Sequence, residues 1–228
     1  MNLRRDEHHE SGSFETHIYF GDIFILKMPS QKETRISNLK KALKKALVID
    51  EKKIAGQIKA TGFLCKKCAQ CCKAEFGDNT VIVFPSEIRS IREKTGLSSD
   101  DFVIPTPSED KDSKGNIHTF EWVLKKNGDC IFLENDLCEI YECRPHICRT
   151  YPFYLLGGKL EVSECIGIGG NINDEDSLKF AVLLKQRYIK EIREAIELLE
   201  KFNGFIPGGS GNICVHDSEG EHWLYQEF

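Results

Sequence analysis

The sequence predicts an α+β fold: a cysteine-rich metal-binding core of short hairpins and loops, flanked by helices that include a long C-terminal amphipathic one. Three observations carry this. Ala181, Leu184, Tyr188, Ile192, Ala195, Leu199 and Phe202 recur at helical spacing. Two turn signals, Asn127-Gly128 and Gly157-Gly158, each lie between short apolar runs, the pattern of a β-hairpin. Four cysteines fall within eight residues, Cys65-x2-Cys68-x2-Cys71-Cys72, and six more follow at Cys130, Cys138, Cys143, Cys148, Cys165 and Cys214.

The elements follow in chain order. A β-like patch is expected at His17-Ile18-Tyr19-Phe20 and Ile23-Phe24-Ile25-Leu26. Ser37 opens a basic helix with Leu39, Ala42, Leu43, Ala46 and Leu47 on one face. After Gly62 the clustered cysteines read as a turn-rich loop. Val81 to Phe84 reads as a buried strand, and Pro85 starts a helix that Gly96 stops. Residues 105–115 are polar and form a loop. Phe120 to Leu124 and Cys130 to Leu133 flank the first hairpin turn; Phe153 to Leu156 and Lys159 to Val162 flank the second. Asn173 to Asp176 begins the long helix, which ends near Asn203-Gly204, and the aromatic tail with Trp223 and Tyr225 packs back on the body. Residues 1–60 are thus an N-terminal β-patch and basic helical extension. Residues 61–170 are the cysteine-cluster metal-binding domain, and 171–228 are the long helix and tail on that same domain.

A chain of 228 residues can bury a hydrophobic core without covalent staples. Ten cysteines lie well below the roughly 8–10% density of small disulfide scaffolds. The first residues show no apolar secretory segment and no run reaches the roughly 20 apolar residues of a membrane span, so a cytoplasmic protein is expected, without a membrane partner. In a reducing compartment, clustered cysteines favour metal over disulfide. Net charge is −5, yet residues 32–67 carry eleven Lys/Arg against three acids, a local +8. That Lys32 to Lys67 region could face nucleic acid or an acidic protein, although no arginine- and aromatic-rich stripe accompanies it. A solvated lysine-rich helix explains it as well.

Thiolates this close crowd negative charge together, and a metal or an iron–sulfur cluster relieves that. Cys65-x2-Cys68 is a metal-knuckle spacing, and extending it to Cys71 gives the three-ligand run of ferredoxin-like loops. Side chains of neighbouring residues diverge, so Cys71 and Cys72 are expected to serve different partners. Cys130, Cys138, Cys148 and Cys165 supply the distal ligands. The eight suffice for two four-thiolate sites, or for one cluster plus a dithiol. No second x2 knuckle appears among the distal cysteines, which favours iron–sulfur over a zinc ribbon, with metal-free redox thiols last. Cys214 reads as a core residue, Cys143 is undecided, and His146 reads as a capping or surface histidine. Gly167-Ile168-Gly169-Gly170 and Gly208-Gly209-Ser210-Gly211 read as turns, since no strand opens through them into a nucleotide-binding helix.

The ordered set Cys65-x2-Cys68-x2-Cys71-Cys72, Gly128-Asp129-Cys130-Ile131-Phe132-Leu133, Cys138-Glu139-Ile140-Tyr141 and Arg144-Pro145-x2-Cys148-Arg149-x-Tyr151-Pro152-Phe153 resembles the cysteine-cluster family named for its CxxCxxCC motif. The resemblance covers about residues 60–170. It implies zinc or iron chelation more firmly than any reaction. Flagellin lysine N-methylases share this cysteine pattern, which implies an alternative as a protein-lysine methyltransferase using S-adenosylmethionine, with a protein substrate. Arg144 and Arg149 bracket Cys148 and are placed to offset the thiolate charge, or else to pair with surface acids. Pro152 holds Tyr151 extended, leaving Tyr151 and Phe153 to shield the site. The leading expectation is a cytosolic protein holding an iron–sulfur cluster; the remaining alternative is a zinc-stabilised module binding nucleic acid or protein.

Overall fold

The computed structural model describes residues 29–205 and 210–225. The β-like patch expected at residues 17–26 lies outside them. Helices take 44% and small sheets 20%, which makes the fold α+β.

Helix α1 (Pro29–Leu47) begins earlier than the Ser37 start expected from sequence. Proline suits a first helical turn, where its missing N–H has no partner to lose. Ile36, one turn before Leu39, packs on the same core, so burial carries the helix across Ser37. Helix α2 (Glu51–Thr61) is capped by Asp50, whose carboxylate accepts from the N–H groups of Lys52 and Lys53 at 2.9 and 3.4 Å. Gly62 ends it at φ +72°, and the cysteine loop follows with two short 3-10 turns, Gln70–Cys72 and Ala74–Phe76.

Next come β1 (Ile82–Val83), α3 (Pro85–Thr95), α4 (Ser99–Phe102) and β2 (Val103–Pro105). Gly96 stops α3 at φ +75°, as its position predicts. Then follow β3 (Ile117–Thr119), β4 (Trp122–Leu124), β5 (Lys126–Asn127), β6 (Asp129–Cys130), β7 (Leu133–Glu134) and β8 (Leu137–Cys138). A 3-10 turn at Tyr141–Cys143 leads into α5 (His146–Thr150). The chain closes with β9 (Phe153–Leu156), β10 (Lys159–Val162), α6 (Asp174–Lys201), β11 (Ile213–Asp217) and β12 (Gly220–Leu224).

The hairpin at Gly157-Gly158 forms as expected, with Leu156 opposite Lys159 and Phe153 opposite Val162. The one at Asn127-Gly128 is smaller than expected. Only β5 and β6 pair across it, while β4 joins β1 and β2 in an antiparallel sheet of order β1-β4-β2. Val123 and Leu124 are buried in that sheet, so burial took the strand away from its sequence neighbour. The tail folds back as a hairpin whose β11 runs parallel to β3, pairing Cys214 with His118.

Two apolar cores result. The larger joins α1, α2, β9 and the predicted stripe of α6. The smaller lies under β1, α3, β2 and β4, and Cys130, Cys138 and Cys148 pack against its edge. Phe153, expected to shield the cysteines, is instead fully buried in the larger core, edge-on to Phe63 and Phe180 at 5.6 and 5.8 Å.

Candidate metal centre

The proximal loop owes its shape to two left-handed residues. Lys67 (φ +52°) and Ala69 (φ +58°) turn the chain between successive cysteines, a conformation that costs a non-glycine residue roughly 1 kcal/mol or more. The 3-10 turn that follows sets the Cys71 and Cys72 sulfurs 3.9 Å apart.

Cross-links bring the distal cysteines onto this loop. The Ala74 N–H donates to Asp129 at 2.9 Å, and the Asn79 amide donates to the carbonyls of Cys72 and Gly128, each at 3.0 Å. Lys73 pairs with Asp136 at 2.6 Å. Asp136 and Asn135 (φ +61° and +49°) make the left-handed two-residue turn of the β7–β8 hairpin, which carries Cys138 at its end. Cys148 rides on α5. The buried Glu87 holds the start of that helix, accepting from the His146 backbone N–H at 2.8 Å and meeting its ring Nδ1 at 2.7 Å. From the other side Arg187 of α6 donates to Thr150 at 2.9 Å and to Glu191 at 2.7 Å. Burial opposes the charge on Glu87, but its hydrogen bonds from His146 and Phe84 outweigh that and hold its carboxyl below the usual range. His146 is thus a partner of Glu87 in positioning α5.

Cys165 arrives by a backbone clamp. Leu64 donates to Gly167 at 2.9 Å, Gly169 donates to Gly62 at 3.0 Å, and Phe63 bridges Ile168. A Cβ on Gly167 would sit 2.6 Å from the Leu64 carbonyl oxygen, so only glycine permits the approach. The glycines read as simple turns are therefore the clamp itself. Gly167 also donates its N–H to the Cys165 sulfur at 3.4 Å.

The sulfurs set one another's acidity. Contact with Cys72 draws the Cys71 thiol down to about 7, while the same contact, then burial and the charges of Cys71, Cys130 and Cys148, push Cys72 far up. Burial, then the charges of Cys130, Cys71 and Cys138, push Cys148 up as well. Burial first, then sulfur neighbours, raises Cys130 and Cys138. At Cys165 burial leads and the charges of Cys68, Cys65 and Cys71 follow. Thiols from separate segments thus oppose one another's ionisation at Cys72, Cys148 and Cys165, which is the condition a cation relieves.

Residues 64–191, more than half the chain, match the CxxCxxCC family, described as a "putative zinc- or iron-chelating domain". The chain belongs to the CxxCxxCC family. No curated protein and no solved structure matches it. In this CxxCxxCC chain the donor set fits a chelated metal: thiols from separate segments feel one another's charge, and the Gly167 N–H already points at the Cys165 sulfur.

The two arginines of the family pattern differ in what they touch. The Arg144 guanidinium lies 3.5 Å over the Tyr141 ring, and its charge helps to lower the pKa of Cys71 and offsets part of the rise at Cys138. Arg149 instead donates to the carbonyls of Arg144 and Glu142 at 2.6 and 3.3 Å, bracing the turn that holds Arg144. Tyr151 lies near Cys165, Cys71 and Cys68: its hydroxyl donates to the Glu164 carbonyl, and burial, then the charges of Cys165 and Cys71, push its pKa up to about 12.

Two residues of the basic region meet acids on α6: Lys40 with Glu200 at 2.7 Å and Lys59 with Asp174 at 2.5 Å. Among the described residues no helix is long and apolar enough to cross a membrane. Sequence reading missed one constellation. Cys214 is fully buried, as expected, yet it lies beside His118 and His216. The signal was there: Cys214 and His216 are two apart, hence on one face of a strand.

Proposed function

We propose that this CxxCxxCC chain is an iron–sulfur protein with two adjoining four-thiolate groups, Cys65, Cys68, Cys71 and Cys165 in one and Cys72, Cys130, Cys138 and Cys148 in the other. Backbone ties carry this reading: the Leu64–Gly167 clamp brings Cys165 to the start of the proximal loop, while Asn79 ties Cys72 to the turn before Cys130. Cys65 and Cys68 act on Cys165, whereas Cys130 and Cys148 act on Cys72, and Cys71 is felt on both sides. Sulfur spacing supports iron over a single ion per group. Among the described residues, no three cysteine sulfurs lie within 4.8 Å of one another. A four-thiolate zinc site needs edges of about 3.8 Å, while an iron–sulfur cluster gives each thiolate its own iron and spreads them wider. Cys71 and Cys72 then stand side by side at the neighbouring corners of the two groups.

Such a group supplies one-electron transfer at a potential set by its surroundings. The chain's own residues provide those surroundings. Arg144 brings a positive charge to Cys71 and Cys138, Gly167 gives its N–H to Cys165, and Tyr151 stands beside the group of Cys68, Cys71 and Cys165. The exposed Cys65 and Cys71 keep one edge within reach of a partner protein.

Iron, zinc and acid-labile sulfide measured on anaerobically purified protein test the proposal. It expects iron and sulfide in equal amount, about eight of each per chain, with a broad absorption band near ~400 nm. About four of each with the Mössbauer spectrum of one 4Fe–4S cluster overturns the second group, and the spectrum of 2Fe–2S clusters overturns the expected cluster type. A colourless protein holding zinc alone in the thiolate groups overturns iron–sulfur chemistry altogether.

A further inference from the structure

Outside the thiolate groups, His118, Cys214 and His216 bring their ligand atoms within 4.8 Å of one another, and all three are buried. Sheet register makes this arrangement. Strand β11 pairs with β3 in parallel, with Cys214 opposite His118, and strand alternation returns His216 to the same face as Cys214. The three donors thus come from two strands, a firmer footing than a loop.

Their hydrogen bonds place bare nitrogen toward the centre. Asp112 Oδ2 meets His118 Nε2 at 3.2 Å and accepts from the Asn116 amide at 2.8 Å. Its Oδ1 accepts from the N–H groups of Lys114 and Asn116 at 2.8 and 3.1 Å. A carboxylate serving as acceptor throughout accepts a hydrogen bond from the His118 Nε2–H, which leaves Nδ1 as the lone-pair nitrogen. That Nδ1 faces His216 Nε2 at 2.8 Å. A carboxylate holding the far nitrogen of a histidine is the usual support behind a ligating imidazole. Aromatic rings close the space. Phe205 stacks on His118 at 4.4 Å, Trp223 meets it edge-on at 5.7 Å, and Phe120 stacks on His216 at 5.2 Å.

We infer that His118 Nδ1, His216 Nε2 and Cys214 Sγ form a binding site for one zinc ion, separate from the thiolate groups, with Asp112 orienting His118 from behind. Two imidazoles and one thiolate are the donors that borderline ions such as zinc take, and three protein donors leave a position for water or another small ligand. Zinc–nitrogen bonds of about 2.0–2.1 Å spread two tetrahedral nitrogens to about 3.3 Å. The imidazoles therefore open by about 0.5 Å and exchange a shared proton for the ion.

The test compares the full chain with Cys214→Ser and His216→Gln, each purified anaerobically and assayed for zinc, iron and sulfide. The expected result is loss of one zinc per chain in both variants, with iron and sulfide unchanged. Cobalt(II) exchanged into the wild type should give a thiolate-to-metal charge-transfer band that Cys214→Ser lacks. Equal zinc and identical cobalt spectra in wild type and variant overturn the site. Should the buried substitutions fail to fold, the wild type alone decides. Zinc returned to chelated protein must shift the ring-nitrogen resonances of His118 and His216, and unmoved resonances overturn the assignment. If the thiolate groups prove to hold zinc, the total still falls by one in the variants, so the two readings fail separately.

Discussion

In the bundle of α1, α2 and α6, Ala46, Ile58, Ala181, Leu184, Ile192 and Leu199 are each at most 1% exposed. In the thiolate region β5, β6, β7 and β8 are two residues long, and the proximal loop turns through two left-handed non-glycine residues. The bundle removes apolar surface from water along whole helix faces, each large side chain contributing roughly 1.5–3 kcal/mol. The thiolate region places Phe132 and Ile140 in the smaller core and is otherwise tied by polar contacts such as Ala74 to Asp129. Those bonds contribute about 1 kcal/mol each and must offset backbone strain as well as thiol crowding. The difference teaches that one part of this chain is held by apolar burial along whole helices, while the other combines short elements with crowded thiols.

Removing the metal is the strongest way to expose that contrast. Amide exchange around residues 70–76 and 126–143 should speed by about 100-fold or more after chelation, roughly 3 kcal/mol of local stability. Exchange in α6 should stay within a few-fold of its starting rate. Equal acceleration in both places would break the comparison.

Ile192→Ala attacks the other side. It should cost about 2–5 kcal/mol of global stability in a denaturant melt, while metal per chain stays unchanged in the protein that remains folded. Lost metal at full folding would mean that the bundle shapes the site more directly than its contacts suggest.

Gly167→Ala acts at the joint between the two. Its Cβ would meet the Leu64 carbonyl at 2.6 Å and the Phe63 ring at 2.9 Å. The clamp must shift, at a cost of about 1–3 kcal/mol. Metal should fall in the group that contains Cys165 and hold in the group that contains Cys148. Full loading of both would show that the clamp is not what delivers Cys165.

Locally coded parts of the fold were legible. The stripe of α6, its start at Asn173 and the Gly157-Gly158 hairpin all follow from spacing and turn chemistry within a few residues. Legibility failed where partners are distant. Nothing in Trp122-Val123-Leu124 says that these residues pair with β1 and β2 and leave the turn beside them to a two-residue strand. The Asn135-Asp136 turn carried a hairpin signal of its own, overlooked because each of its strands is only two residues long. Phe153 faced the larger core because strand alternation, fixed by the β9–β10 register, turned it inward.

The sequence by itself determined that this is a cysteine-cluster chain of α+β class that chelates metal, since thiolate crowding and helical periodicity are local properties of composition and spacing. Only the tertiary structure decided that the Gly167 clamp ties Cys165 to the proximal loop, that Arg144 rather than Arg149 brings its charge to Cys71 and Cys138, and that Cys214 lies beside two histidines. Those facts rest on strand pairing and backbone clamps between residues up to about a hundred positions apart, as with His118 and His216. Contacts of that range are set by which surfaces the whole chain can bury together, and no short stretch of sequence specifies them.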